Sequence, residues 1–112
     1  RTEFTVAYPV AYTADLLATV CQDSLGLRVF RRTSGDKLRV ERADNGGPHL
    51  VAAVLLQRER EGVTHVRIRA SRSDRGRTSF AALWTFYDDL VTQLEMLAHD
   101  TATAHAVRND EL

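Results

Sequence analysis

Residues 78–105 read TSFAALWTFYDDLVTQLEMLAHDTATAH, and the fold turns on how this stretch is read. Phe80, Leu83, Trp84, Tyr87, Leu90, Val91, Leu94, Leu97 and Ala98 recur at three- and four-residue spacing, which gathers them on one stripe of a long amphipathic helix. Asp88, Asp89, Gln93, Glu95 and Asp100 fall elsewhere, and Phe86 and Met96 lie off the stripe on a second side. Such a stripe has to be covered. Each large side chain fully buried contributes roughly 1.5–3 kcal/mol, so the helix needs a broad apolar surface to lie on. Beyond about Ala106 the apolar period is lost and the tail is expected to fray.

The preceding residues supply that surface as a sheet. Glu3 to Tyr8 alternates Phe4, Val6 and Tyr8 against Glu3, Thr5 and Ala7, a half-buried first strand that Pro9 ends. A helix is expected from Thr13, as N-cap, to Leu25, with Leu16, Leu17, Val20, Cys21 and Leu25 on one face and Gly26 closing it. Leu27 to Arg32 and Lys37 to Arg42 form a hairpin around Thr33-Ser34-Gly35-Asp36. After the break at Asp44-Asn45-Gly46-Gly47-Pro48, a strand runs from His49 to about Arg60, turns at Glu61-Gly62 and returns as Val63 to Ser71. Short connections make the last four strands an antiparallel meander, and only the first strand needs a crossover.

Alternation separates the two faces of the sheet. Leu38, Val40, Leu50, Ala52, Val54, Leu56, Val66, Ile68 and Ala70 share the parity that should meet the helices. The opposite parity carries Lys37, Arg39, Glu41, His65, Arg67 and Arg69, a face of mixed charge. The strand at 49–56 breaks the rule, because Val51, Ala53 and Leu55 put apolar groups on that charged face. A helix, a loop or a second copy of the chain must cover them.

The expected architecture is therefore α+β: β-α-β-β-β-β-α in order, with a five-stranded antiparallel sheet packed on one face by a short helix and a long C-terminal helix. This order resembles a reduced form of the helix-grip arrangement of START and Bet v 1-like lipid-binding domains, in which a curved sheet wraps the last helix. The resemblance covers most of the chain at the level of element order, and no residue motif carries it. It implies a possible cavity between sheet and helix, and nothing about a ligand.

At 112 residues the chain has the length of a single α+β domain spanning 1–112. Hydrophobic residues at 44% and charged residues at 27% are those of a soluble globular protein. No apolar run reaches the ~18 residues of a transmembrane helix, so no membrane partner is expected. The chain begins at Arg1 rather than at a methionine, which leaves room for a removed leader or an upstream domain. A lone Cys21 cannot form an internal disulfide, and cytoplasmic residence is the expectation.

Zero net charge argues against a dedicated nucleic-acid binder, yet the charges are segregated. Arg58, Arg60, Arg67, Arg69, Arg72, Arg75 and Arg77 crowd one segment, while Asp88, Asp89, Glu95, Asp100, Asp110 and Glu111 dominate the remainder of the chain. The loop before the long helix, with Arg72, Arg75, Gly76, Arg77, Thr78 and Ser79, is a candidate for phosphate or carboxylate, although its spacing matches no phosphate-binding loop. Read blandly, Thr78 or Ser79 simply caps the helix. The face around Arg67 and Arg69 could follow a nucleic-acid backbone, but the assigned parity includes no aromatic for stacking. His49, His65, His99 and His105 fall at no metal-ligand spacing, so neither a metal nor another cofactor is expected. Asp88 and Asp89 diverge on a helix, Cys21 faces the core, and no acid, base and nucleophile can be placed together.

Function is accordingly expected to be non-catalytic: a homodimeric binding or interaction module that holds a partner protein or a small apolar ligand between sheet and long helix. Leu83, Trp84, Tyr87, Leu90 and Leu94 would line its pocket, opposite Val54, Leu56, Val66 and Ile68. Val51, Ala53, Leu55, Phe86 and Met96 are the candidates for a homodimer contact. The alternative is nucleic-acid or phosphate-ligand binding through Arg67, Arg69, Arg72, Arg75, Arg77 and Thr78.

Overall fold

A computed structural model describes residues 2–32, 34–42 and 47–110, with side-chain surroundings as far as residue 98. Thr33 of the expected hairpin turn and the Asp44-Asn45-Gly46 break lie outside the described residues. The elements are β1 (Glu3–Val6), α1 (Val10–Thr19) continued by a π-helical segment (Val20–Ser24), β2 (Leu27–Arg31), β3 (Lys37–Arg42), β4 (Val51–Arg60), β5 (Val63–Ala70), a 3₁₀ turn (Arg72–Asp74) and α2 (Phe80–Asp110). The sheet is antiparallel throughout, in the order β1-β5-β4-β3-β2. The architecture is thus the α+β arrangement expected, with the first strand carried by α1 across the sheet to pair with the last.

Both helices pack on one face. Leu38, Val40, Ala52, Val54, Leu56, Val66 and Ile68 point into a core closed by Leu17, Val20 and Cys21 from the first helix and Phe86 and Leu90 from α2. Burial pushes the Cys21 thiol up to about 12, so it stays a neutral packing group. The first helix starts earlier than expected. Pro9 stands at its N-cap, the Thr13 N–H already bonds the Pro9 carbonyl at 2.9 Å, and the buried Thr13 hydroxyl donates to the Tyr8 carbonyl at 3.3 Å. Pro9 both ends the strand and preorganises the helix start, because its ring fixes φ and the missing N–H would have no helical partner there.

The long helix is rotated from the phase its apolar stripe implies. Its buried line runs through Ala82, Phe86 and Leu90, with Leu83, Tyr87 and Leu94 half-buried beside it. Phe86 is 1% exposed whereas Phe80 is 74% exposed, the reverse of their expected roles. The apolar arc of this helix is wider than the surface it packs on. Which flank is buried is set by the preceding loop: the Thr78 hydroxyl accepts the Val51 N–H at 2.9 Å, and Ser79 then caps the helix by accepting the Ala82 N–H at 3.0 Å. The helix runs through Asp110. Alanines at 102, 104 and 106 favour helix without needing an apolar partner.

Candidate functional site

The pocket expected between sheet and long helix is filled. Val54, Leu56, Val66, Ile68 and Leu90 pack directly into the core, and Trp84 lies at the surface, edge-on to Phe80 at 6.1 Å and to Tyr87 at 5.4 Å between ring centroids. Large aliphatic groups from sheet and helix meet there, so Val54, Leu56, Val66, Ile68 and Leu90 serve as core. Of that set Leu94 borders an apolar concavity, and Leu56 contributes only to the lining of a polar hollow by β4 and β5.

That concavity is an open groove of about 570 Å³ at the β1 edge of the molecule. Phe4 and Val6 wall it from the first strand, Tyr8 from the bend that follows, Tyr12 and Leu16 from α1, and Val91, Leu94, Leu97 and Ala98 from the second half of α2, with Glu95 the one ionisable group besides the tyrosines. Tyr87 anchors the helix beside this edge strand. Its hydroxyl donates to the Glu3 carbonyl at 3.2 Å, and its ring meets Phe4 at 6.1 Å in a T-shaped contact. Tyr8 and Tyr12, 4.7 Å apart between centroids, remain exposed at the other wall. Sequence patterning places Tyr8 in a strand and leaves Tyr12 in a turn, since nothing local signals that a helix 80 residues on will come alongside.

The arginine-rich loop before α2 is closed around an internal anion. The buried Asp74 carboxylate accepts the Thr78 hydroxyl at 2.6 Å and lies 2.5 Å from His49 Nε2, with Arg77 Nε at 3.7 Å. Burial alone would raise the Asp74 pKa. The side-chain bonds from Thr78 and His49, the Thr78 backbone N–H and the charge of His49 outweigh it and hold the carboxyl below the usual aspartate range. Of the donors expected to receive an external phosphate, Arg77 and Thr78 are therefore already turned inward, and Thr78, buried and bonded to Val51 and Asp74, is a structural latch. The loop turns through two consecutive left-handed residues, Arg75 (φ 55°) and Gly76 (φ 76°), leaving Arg75 and Arg77 exposed and away from the sheet face.

Arg67, Arg69 and Arg72 lie on the sheet face opposite the helices, and three cations of the β2–β3 hairpin join them. Arg32, Lys37, Arg39, Arg69 and Arg72 surround a shallow basin of about 340 Å³ whose apolar floor is Ala53. Pairing explains the arrangement: Phe30, Arg39, Ala53 and Arg69 stand in one row across β2, β3, β4 and β5. The half-exposed Phe30 ring lies 5.8 Å from the Arg39 guanidinium carbon. An aromatic does stand on the charged face, and the hairpin register through Thr33–Asp36 is the signal that could have placed it there.

The same rows account for the apolar strip of β4. Ala53 is 3% exposed between Arg39 and Arg69, Val51 is 8% exposed beside the latch loop, and Leu55 is half-buried between Lys37 and Arg67. Long arginine and lysine stems cover apolar surface while their heads stay in water. The strip is thus covered from within the chain, and Phe86 is core. Of the five residues read as dimer candidates, Met96 alone is well exposed, at 54%.

Among the described residues no group of three histidine, cysteine, aspartate or glutamate side chains converges on a metal position, and no helix is long and apolar enough to cross a membrane. The chain matches no protein-family model and no curated protein.

Proposed function

We propose that the protein is a non-catalytic binding module that holds a small apolar ligand in the groove between β1, α1 and the second half of α2. The observation that carries this reading is the groove itself, which falls within the 300–1,000 Å³ typical of ligand sites and is lined by aromatic and aliphatic side chains. The pairing of the first strand with the last, around a long final helix, is consistent with the helix-grip likeness seen in the element order. A single buried thiol fits a cytoplasmic setting.

The test is titration with a hydrophobic dye and displacement by medium- and long-chain fatty acids, on the wild type and on Ala98→Phe. Ala98 is exposed on α2, so the larger ring fills the groove without touching the core. Saturable dye binding that this variant weakens at least tenfold is the expected result. Silence of the wild type, or equal binding by both proteins, would overturn the reading.

A second occupant is favoured by Phe80, Met96 and Leu97, which leave apolar area exposed along α2. Here the groove and helix would receive a partner protein or a second copy of the chain. Light scattering on the wild type and on Met96→Glu checks it: a dimer that the variant converts to a folded monomer supports self-association.

A further inference from the structure

We infer that the sheet face opposite the helices binds single-stranded nucleic acid, with phosphates held by Arg32, Lys37, Arg39, Arg69 and Arg72 and a base stacked on Phe30. Charge is the first argument. Five cations ring a basin with no carboxylate in its lining, in a chain whose net charge is zero. Among the described residues Glu41 is ion-paired to Arg28 and Arg39, whereas Arg32, Lys37, Arg69 and Arg72 pair with no described carboxylate. Holding like charges together costs free energy unless a polyanion neutralises them. Arg39, though paired, is also the cation nearest the exposed aromatic ring.

Shape is the second argument. The basin does not end at Lys37: a neighbouring hollow of about 320 Å³ shares that lysine and runs on past Leu55 to Arg67 and His65. Asp36 also borders it, and its carboxylate accepts the Ser34 hydroxyl at 2.6 Å. Together the two hollows reach across the sheet from the hairpin to β5, carrying Lys37 and Arg67 beyond the basin, with Asp36 at the rim and His65 3.8 Å from Glu3. A flexible strand fits them, because single-strand sites combine a basic groove that follows the backbone with an aromatic platform for bases. A duplex does not suit a sheet face from which no helix projects to enter a groove. Ser71 and Ser73 at the rim, hydrogen-bonded to each other at 2.8 Å, leave one hydroxyl donor for a phosphate or sugar oxygen.

Fluorescence anisotropy with a labelled oligouridylate, at several salt concentrations, tests the inference. Expected is saturable binding that weakens with salt at a slope of about −0.7 per phosphate contact. Arg69→Gln and Arg72→Gln should each weaken binding several-fold and flatten that slope. Phe30→Ala should weaken it roughly tenfold at unchanged slope, since stacking releases no counterions. Arg58→Gln, outside both hollows, should bind as the wild type does. Absence of binding, binding flat in salt, or binding indifferent to Arg69→Gln would overturn the inference. So would equal affinity for heparin with no response to Phe30→Ala, which marks a general polyanion surface, or tighter binding to an acidic peptide, which marks a protein partner. The fatty-acid displacement assay reads the opposite face, so either result stands without the other.

Discussion

Phe86 and Phe80 offer the sharpest test of how the long helix sits. Both are phenylalanines on α2 six residues apart, and the sequence pattern favours Phe80 as the core residue whereas the structure buries Phe86. Phe86→Ala removes a ring that is 1% exposed within the core cluster. Large-to-small changes of this kind cost about 3–5 kcal/mol, lost transfer free energy plus the cavity left behind. For a domain whose total stability is on the order of 5–15 kcal/mol, a loss near 4 kcal/mol is a large fraction. At about 4 °C per kcal/mol it lowers Tm by roughly 16 °C. Phe80→Ala gives up only a partly exposed ring and one edge contact with Trp84, which together amount to under about 1 kcal/mol. Urea unfolding followed by circular dichroism measures both. A Phe80→Ala variant as damaged as Phe86→Ala would refute the rotation and return the helix to the phase its stripe implies.

Two further outcomes rest on the buried groups. Because the Asp74 carboxyl is held below the usual aspartate range, it stabilises the fold above about pH 4, and that contribution fades as pH falls through its folded pKa. Asp74→Asn should therefore lower the urea midpoint at pH 7 and converge with the wild type in acid; a constant gap from pH 7 to pH 3 would show that ionisation of Asp74 is immaterial. With its pKa pushed up to about 12, Cys21 should react with a thiol reagent at pH 8 at least ~1000-fold more slowly in the native state than in denaturant. Prompt native labelling would mean that the first helix opens readily.

The meander of β2 to β5 and the inner face of the sheet were legible because both rest on local signals, whereas the pairing of β1 with β5 joins distant segments and was not. Short turns dictate a meander, and period-two alternation sorts Leu38, Val40, Val54 and Ile68 from Lys37, Arg39 and Arg67 without knowledge of any distant contact. The site was less legible, for three physical reasons. An apolar arc on a helix can be wider than its seat, so periodicity shows that α2 packs but not which flank, and the choice depends on a Thr78–Val51 bond spanning 27 positions. The face on which Phe30 stands is set by hairpin register rather than by its own neighbours. And an apolar strip such as Val51, Ala53 and Leu55 reads as an interface until register shows Ala53 flanked by Arg39 and Arg69 and Leu55 by Lys37 and Arg67.

The length of α2 bears on how the protein must be handled in solution. A helix of 31 residues spans about 46 Å, and the molecule measures 55 × 30 × 24 Å. So elongated a body experiences more friction than a sphere of equal mass. A lone chain will leave a gel-filtration column early, at the volume of a heavier globular standard. Retention volume alone would then mimic a pair, and only a measurement of mass independent of shape can count the chains.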